Sequence, residues 1–313
     1  MLGHGSLDGG GRSMRILLTL LILAGTALEA RGKLLFSRHS RYNHITVEDR
    51  GNYRVLSFNG SQESRVSRFN GMLGHFEYTE YLQLPLLWTP KAKRVLMIGL
   101  GGGSIQKAYN HYFPDVVVDA VELDPMVVGV AKQFFGIQES NRLKIHQSDG
   151  RVFLKNAKEK YDVILLDAYT SSRTGSFIPY HLATKEFFVL AAQRLTEDGV
   201  LAYNVIGTTD GWRADNVGSI HRTLKEVFPH VYYFPTRETR NIIFVAPREK
   251  GALTTESLQV KYGAFLKRWP KASPNFLKRL QVIQNKAPRS AVRSPVLLDN
   301  FQPASGLLGS RWK

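Results

Sequence analysis

The stretch "RVLMIGLGGGSIQKAY" at residues 94–109 decides the reading of this chain. A branched, apolar run breaks into four glycines, and the sequence then resumes with helical periodicity. A strand ending at Ile98 and followed by Gly99, Gly101, Gly102 and Gly103 lets backbone pass close to a ligand. It also aims the first N–H groups of the next helix at a polar or anionic group. Taken alone, the same turn is explained equally well as a tight connection that packs a helix on a sheet.

From Arg94 onward, short apolar runs alternate with amphipathic stretches of helical length. "RVLMI" (94–98), "VVVDAVEL" (116–123), "RLKIHQ" (142–147), "YDVILLD" (161–167) and "GVLAYNV" (199–205) read as strands. Continuous apolar runs are buried on both faces, which is the mark of a parallel sheet with crossover helices. "HVYYFP" (230–235) and "NIIFVAP" (241–247) are joined by a link too short for a crossover, so they read as an antiparallel hairpin closing the sheet. The expected fold class is α/β, a doubly wound, methyltransferase-like Rossmann sheet. Residues 42–60 alternate differently, as two strands around Glu48–Asn52 followed by a turn at Asn59-Gly60, so a small β-domain precedes the sheet. Residues 71–90 read as a helix running into Pro90.

The predicted organisation is a linker and apolar segment at 1–33, a small β-domain and connecting helix at 34–90, a catalytic α/β domain at 91–250, and a basic helical extension at 251–313. At 313 residues and 43% hydrophobic, the chain can bury a substantial core. Its formal net charge is +16, yet the basic residues are scattered and no zinc-finger or RNP spacing occurs, so nucleic acid is not the expected partner. With no cysteine there is no disulfide, thiolate metal site or cysteine nucleophile. No His/Glu cluster has metal spacing, and no metal is expected.

Residues 14–30, "MRILLTLLILAGTALEA", have the form of a signal peptide, a basic start and an apolar run ending in small residues. The run is shorter than the roughly 20 residues of a membrane span. Arg31, Lys33, Arg38 and Arg41 follow it and favour retention on the cytoplasmic side. A short anchor on the cytoplasmic face and a cleaved export signal both remain open.

Three acids join the glycine turn. Glu122 ends the second strand about twenty residues on, where a carboxylate can accept both hydroxyls of a ribose. Asp149 follows the third strand with Gly150 opening the next helix; an N-cap explains it as well as contact with an adenine amino group does. Asp167 ends the fourth strand, and ligands of open α/β sheets lie outside the carboxyl ends of strands. Four such features around one crevice fit an adenosyl ligand better than any one alone. His181 stands at a helix start, a cap or packing residue before it is a base.

At these residues the chain resembles the spermidine synthases and related polyamine aminopropyltransferases. "YNHITVEDRGNYRVLSFNGSQES", "YTEYLQLPLL", "RVLMIGLGGGS", "VELDP", "SDGRVFL" and "YDVILLDAY" carry the resemblance over roughly residues 42–247. The closing "PVLLDNFQP" is similar to a segment near the end of bacterial membrane-fused members. The resemblance implies an aminopropyltransferase in polyamine biosynthesis that uses decarboxylated S-adenosylmethionine as donor. A putrescine-like amine would be the acceptor, and methylthioadenosine would leave. It implies Glu122 on ribose, Asp149 on adenine and Asp167 at the reacting centre. Tyr78, Tyr169 and Thr170 are the expected amine-side residues, Tyr169 by cation–π contact or equally by simple packing. Glu80, Glu186 or Asp210 would have to partner the acceptor's second ammonium. It also implies a homodimer.

The departures carry their own expectations. Gly102 stands where the family has an acid in the glycine turn, and Asp167-Ala168-Tyr169-Thr170 lacks the family's second acid. Asn43 replaces a glutamine, and Tyr78-Thr79-Glu80 replaces Tyr-His-Glu. Without the turn acid, the carboxylate of intact S-adenosylmethionine could sit against the helix N-terminus near Gly103. A methyltransferase using that donor is one competing reading. A non-catalytic nucleoside-binding relative is the other.

Overall fold

Val95 and Met97 pack into the core on one side of the sheet, Leu96 and Ile98 into the core on the other. An uninterrupted apolar run requires this of an interior strand. The computed structural model describes residues 32–172, 175–211 and 214–301. Five parallel strands form its centre: β5 (Arg94–Ile98), β6 (Val117–Glu122), β7 (Leu143–Gln147), β8 (Tyr161–Leu166) and β11 (Leu195–Ile206), with β9 (Thr170–Ser172) and β10 (Gly175–Phe177) a separate antiparallel pair between β8 and β11 in sequence. The expected hairpin is present as β12 (Tyr232–Pro235) and β13 (Asn241–Pro247), with β13 antiparallel to β11 and β12 at the edge. The sheet order is β12-β13-β11-β8-β5-β6-β7. Strands β5, β6 and β7 proceed toward one edge and β8 returns to the far side of β5, so the strand order reverses at β5/β8. That reversal leaves a crevice at the strands' carboxyl ends.

The preceding sheet has four strands where two were expected: β1 (Lys33–His39), β2 (His44–Arg50), β3 (Tyr53–Phe58) and β4 (Ser61–Ser67), paired in sequence order. The outer pair escaped notice because "KLLFSRH" and "SQESRVS" are largely exposed or polar and give no alternation to read. Asn59 and Gly60 both have positive φ, 51° and 88°, as the turn of a two-residue hairpin needs. Ile45, Val47, Leu56 and Val66 pack on Val127, Val130 and Phe135 of the helix Pro125–Phe135, which seats β4 over the glycine turn.

The single helix expected over 71–90 is instead a short helix α1 (Tyr78–Tyr81) and a 3₁₀ turn (Leu84–Leu87). Pro85 has no N–H and its ring opposes a continuous helix, while Gly74 adopts a positive φ before it. Leu84, Leu86, Leu87 and Trp88 are buried with the basic extension, whose helices Thr255–Arg268 and Phe276–Leu280 contribute Phe265, Phe276 and Leu280. No helix among the described residues is long and apolar enough to cross a membrane, and residues 14–30 lie outside the described residues.

A buried ion-pair network fixes α1. Arg279 holds Glu77 Oε1 and Glu80 Oε2, each at 2.6 Å. The other Glu77 oxygen accepts the N–H groups of Arg237 and Glu238 at 2.9 and 2.6 Å, tying the hairpin turn to the same point. Removing one partner from such a network strands a buried charge. Arg279→Ala is therefore expected to lower the unfolding free energy by about 3–5 kcal/mol in a denaturant titration.

Candidate active site

The crevice opens into a cavity of about 200 Å³ bounded by the glycine turn, the ends of β6, β7 and β8, and the small sheet. Its floor depends on Gly99, whose φ is 107°. A Cβ there would stand 2.2 Å from the Asp167 carbonyl oxygen, so only glycine lets β5 turn this close to β8. Gly101 and Gly150 also line the cavity. Gly102 and Gly103 do not: the Gly102 N–H donates to Ser64 Oγ at 2.9 Å and the Gly103 N–H to the Leu100 carbonyl at 2.9 Å. These two N–H groups of the turn are thus engaged within the protein.

Glu122 reaches into the cavity with each oxygen steadied by a backbone N–H, Leu100 at 3.1 Å and Asp124 at 3.0 Å. Burial raises its pKa, helped by the nearby Asp124 charge and opposed by those hydrogen bonds. Carboxylate oxygens have further lone pairs, so a diol remains a fitting partner. Asp149 is both things the sequence allowed. It caps the helix Gly150–Asn156 through Val152 N–H at 2.9 Å and also lines the cavity. Its second oxygen meets His181 Nε2 at 2.8 Å, so His181 sits at the mouth as the partner of Asp149.

Asp167 extends from β8 and is held from two sides. Asn204 Nδ2 donates to Oδ1 at 2.8 Å, and the Tyr78 hydroxyl donates to Oδ2 at 3.3 Å. Desolvation lifts the Asp167 pKa to about 6, against the pull of the Asn204 and Tyr78 hydrogen bonds and with a small push from Glu63. Burial likewise raises the Tyr78 phenol well above its ordinary range, so it stays a donor. Asn204 is fixed in turn by Asn241 Nδ2 at 2.8 Å. Tyr169 lines the cavity with its ring while its hydroxyl bonds the Asn204 carbonyl, and Thr170 completes that wall.

Glu80 is elsewhere. Its carboxylate accepts from Asn275 Nδ2 at 2.9 Å and Arg279 Nε at 2.6 Å and faces a separate hollow beside His75. Despite its desolvation, these contacts and His75 hold its pKa down to about 2. Its place in the α1 network, rather than in the cavity, withdraws it from the amine-facing residues. The sequence reading also missed Asn204, Asn241 and Glu63. A lone asparagine inside the apolar "GVLAYNV" was a usable signal for the first, whereas the other two depend on strand pairing.

Fold and cavity define a doubly wound α/β protein with an acid-lined pocket at its switch point. The profile of the spermine/spermidine synthase domain matches residues 75–255. The chain belongs to that family. A polyamine aminopropyltransferase from Vibrio vulnificus is 34% identical over 209 residues, covering 64% of this chain and 67% of that protein. The eEF1A lysine and N-terminal methyltransferase of Bos taurus is 33% identical over 181 residues, 55% of this chain but only 25% of its own length. A probable spermidine synthase structure from Corynebacterium glutamicum superposes with a TM-score of 0.65 at 19% identity, covering 85% of this chain and 97% of that one. At that identity the likeness speaks for the fold.

An acid whose folded pKa lies above its unfolded value of 3.8 costs stability once ionised, so its penalty is absent below about pH 4 and complete above about pH 7. Unfolding measured across this range is expected to favour Asp167→Asn over wild type increasingly as pH rises, with the gap closing at pH 4. A pH-independent gap would remove the assigned desolvation.

Proposed function

We propose that the chain moves the aminopropyl group of decarboxylated S-adenosylmethionine to a small amine, releasing methylthioadenosine. One observation carries the reading: Asp167, held by Asn204 and Tyr78, stands in the same cavity as Glu122 and Asp149. Adenine against Asp149 and ribose against Glu122 would direct the sulfonium end toward the glycine turn and the propyl chain toward Asp167. The acceptor nitrogen then attacks the propyl carbon bonded to sulfur. The C–N bond forms as the C–S bond breaks, its electron pair going to sulfur and leaving a neutral thioether. The attacking nitrogen carries the positive charge away as a secondary ammonium that keeps its proton at neutral pH.

A primary amine with a pKa near that of lysine, about 10.4, arrives mostly protonated at neutral pH. An ionised Asp167 attracts that ammonium and receives a proton from it, and the Tyr78 and Asn204 donors hold the carboxylate in one orientation. In-line placement of two bound substrates supplies much of the remaining acceleration. The same donor would assign the catalytic domain to the cytoplasm or a cytoplasmic membrane face. The relatives named as polyamine aminopropyltransferases support this reading over methyl transfer.

Asp167→Asn is expected to lower kcat by about 10²- to 10⁴-fold, the usual span for a lost acid–base group, while methylthioadenosine affinity stays within about twofold. Wild-type kcat/KM should fall on the acid side with a midpoint close to pH 6, where Asp167 gains its proton. Undiminished turnover by the variant would overturn the role given to Asp167.

A further inference from the structure

Strand β4 breaks its pairing with β3 at one residue. Leu56 faces Ser64 and the next partner, Ser57, faces Gln62, so Glu63 is the extra residue of a bulge. Bulges re-aim a side chain, and they concentrate beside active sites. The consequence is visible in the cavity wall. Glu63 and Ser64 are consecutive, and in a regular strand they would point to opposite faces, yet both line the main cavity. Both also line a small adjoining opening that shares Tyr78, Leu100 and Asp167.

Ser64 is pinned by the Gly102 N–H, which sets this strand against the glycine turn. A Cβ at Gly102 would stand 2.9 Å from the Ser64 Cβ and 3.0 Å from the Phe135 ring, so the turn has no room for a side chain of its own. The strand facing it presents a carboxylate instead. Glu63 acts electrostatically on both Asp167 and Tyr78, which places its carboxylate at the reacting end of the cavity.

We propose that Glu63 is a specificity-determining carboxylate that pairs with a primary alkylammonium group bound beside Asp167. The inference rests on the aminopropyl-transfer reading and extends it. Two sources present that ammonium, the propyl end of the decarboxylated donor and the distal amine of a diamine acceptor. A second carboxylate beside Asp167 attracts either ammonium and repels the α-carboxylate of intact S-adenosylmethionine.

The test compares wild type, Glu63→Gln and Glu63→Asp by titration calorimetry with methylthioadenosine, decarboxylated S-adenosylmethionine and S-adenosylmethionine, together with the diamine KM. Wild type is expected to bind the decarboxylated donor more tightly than the intact one. If the donor supplies the ammonium, Glu63→Gln shrinks that preference about tenfold or more. If the acceptor supplies it, the preference holds and the diamine KM rises by a similar factor. In both cases methylthioadenosine, which has no ammonium, binds within about twofold of wild type, and Glu63→Asp recovers part of the loss. A wild type that prefers the intact donor overturns the proposal. So does a Glu63→Gln protein with neither change, or one that loses methylthioadenosine binding to the same degree. Should Glu63→Gln fail to fold, the wild-type preference and the Glu63→Asp values decide. Donor binding is read without turnover, so absence of any aminopropyl product from wild type would count against the proposed function separately.

Discussion

The close approach of β5 to β8 at Gly99 is the constraint on which the rest of the site depends. Asp167 N–H donates to the Ile98 carbonyl at 2.9 Å as the last rung between the two strands, and the chain must turn away at once. A side chain at Gly99 would collide with the Asp167 backbone, so the turn and the acid are one piece of geometry. Because the strand order reverses there, the acids closing β6, β7 and β8 face a common space. The cavity follows from topology before any ligand is considered.

Around that fixed point the chain spends long-range contacts on holding two side chains still. Asn241, Asn204 and Asp167 form a relay across three adjacent strands, β13, β11 and β8. Arg279, from the far end of the chain, clamps Glu77 and Glu80 on either side of Tyr78 and so sets where its hydroxyl meets Asp167. The closing segment works in the same way at the other end of the pocket. Asp299 takes both Arg151 nitrogens at 2.8 and 2.6 Å, and Arg151 in turn holds the His181 carbonyl. Low dielectric strengthens the buried members of these networks, Asn241–Asn204 and Arg279–Glu77, and raises the cost of breaking them.

Much of this was legible in the sequence. The five parallel strands announced themselves as apolar runs, and Glu122, Asp149 and Asp167 were readable because strand ends in such a sheet are where ligands gather. What escaped has a common physical cause. Glu63 depends on a bulge, and a bulge is a property of the pairing between two strands, absent from the pattern of either. Glu80 looked like an amine ligand until its partner appeared 199 residues further along. Strands β1 and β4 were lost because exposed polar strands leave no alternation, and the helix expected over 71–90 because buried Leu-Pro-Leu-Leu packs on all sides rather than along one stripe.

Mass spectrometry of the products formed by the purified chain, with decarboxylated S-adenosylmethionine and a panel of diamines and polyamines, tests the central claim most directly. The account predicts methylthioadenosine together with an amine heavier by one aminopropyl unit. S-adenosylhomocysteine formed from the intact donor, with no aminopropylated amine from the decarboxylated one, would contradict it.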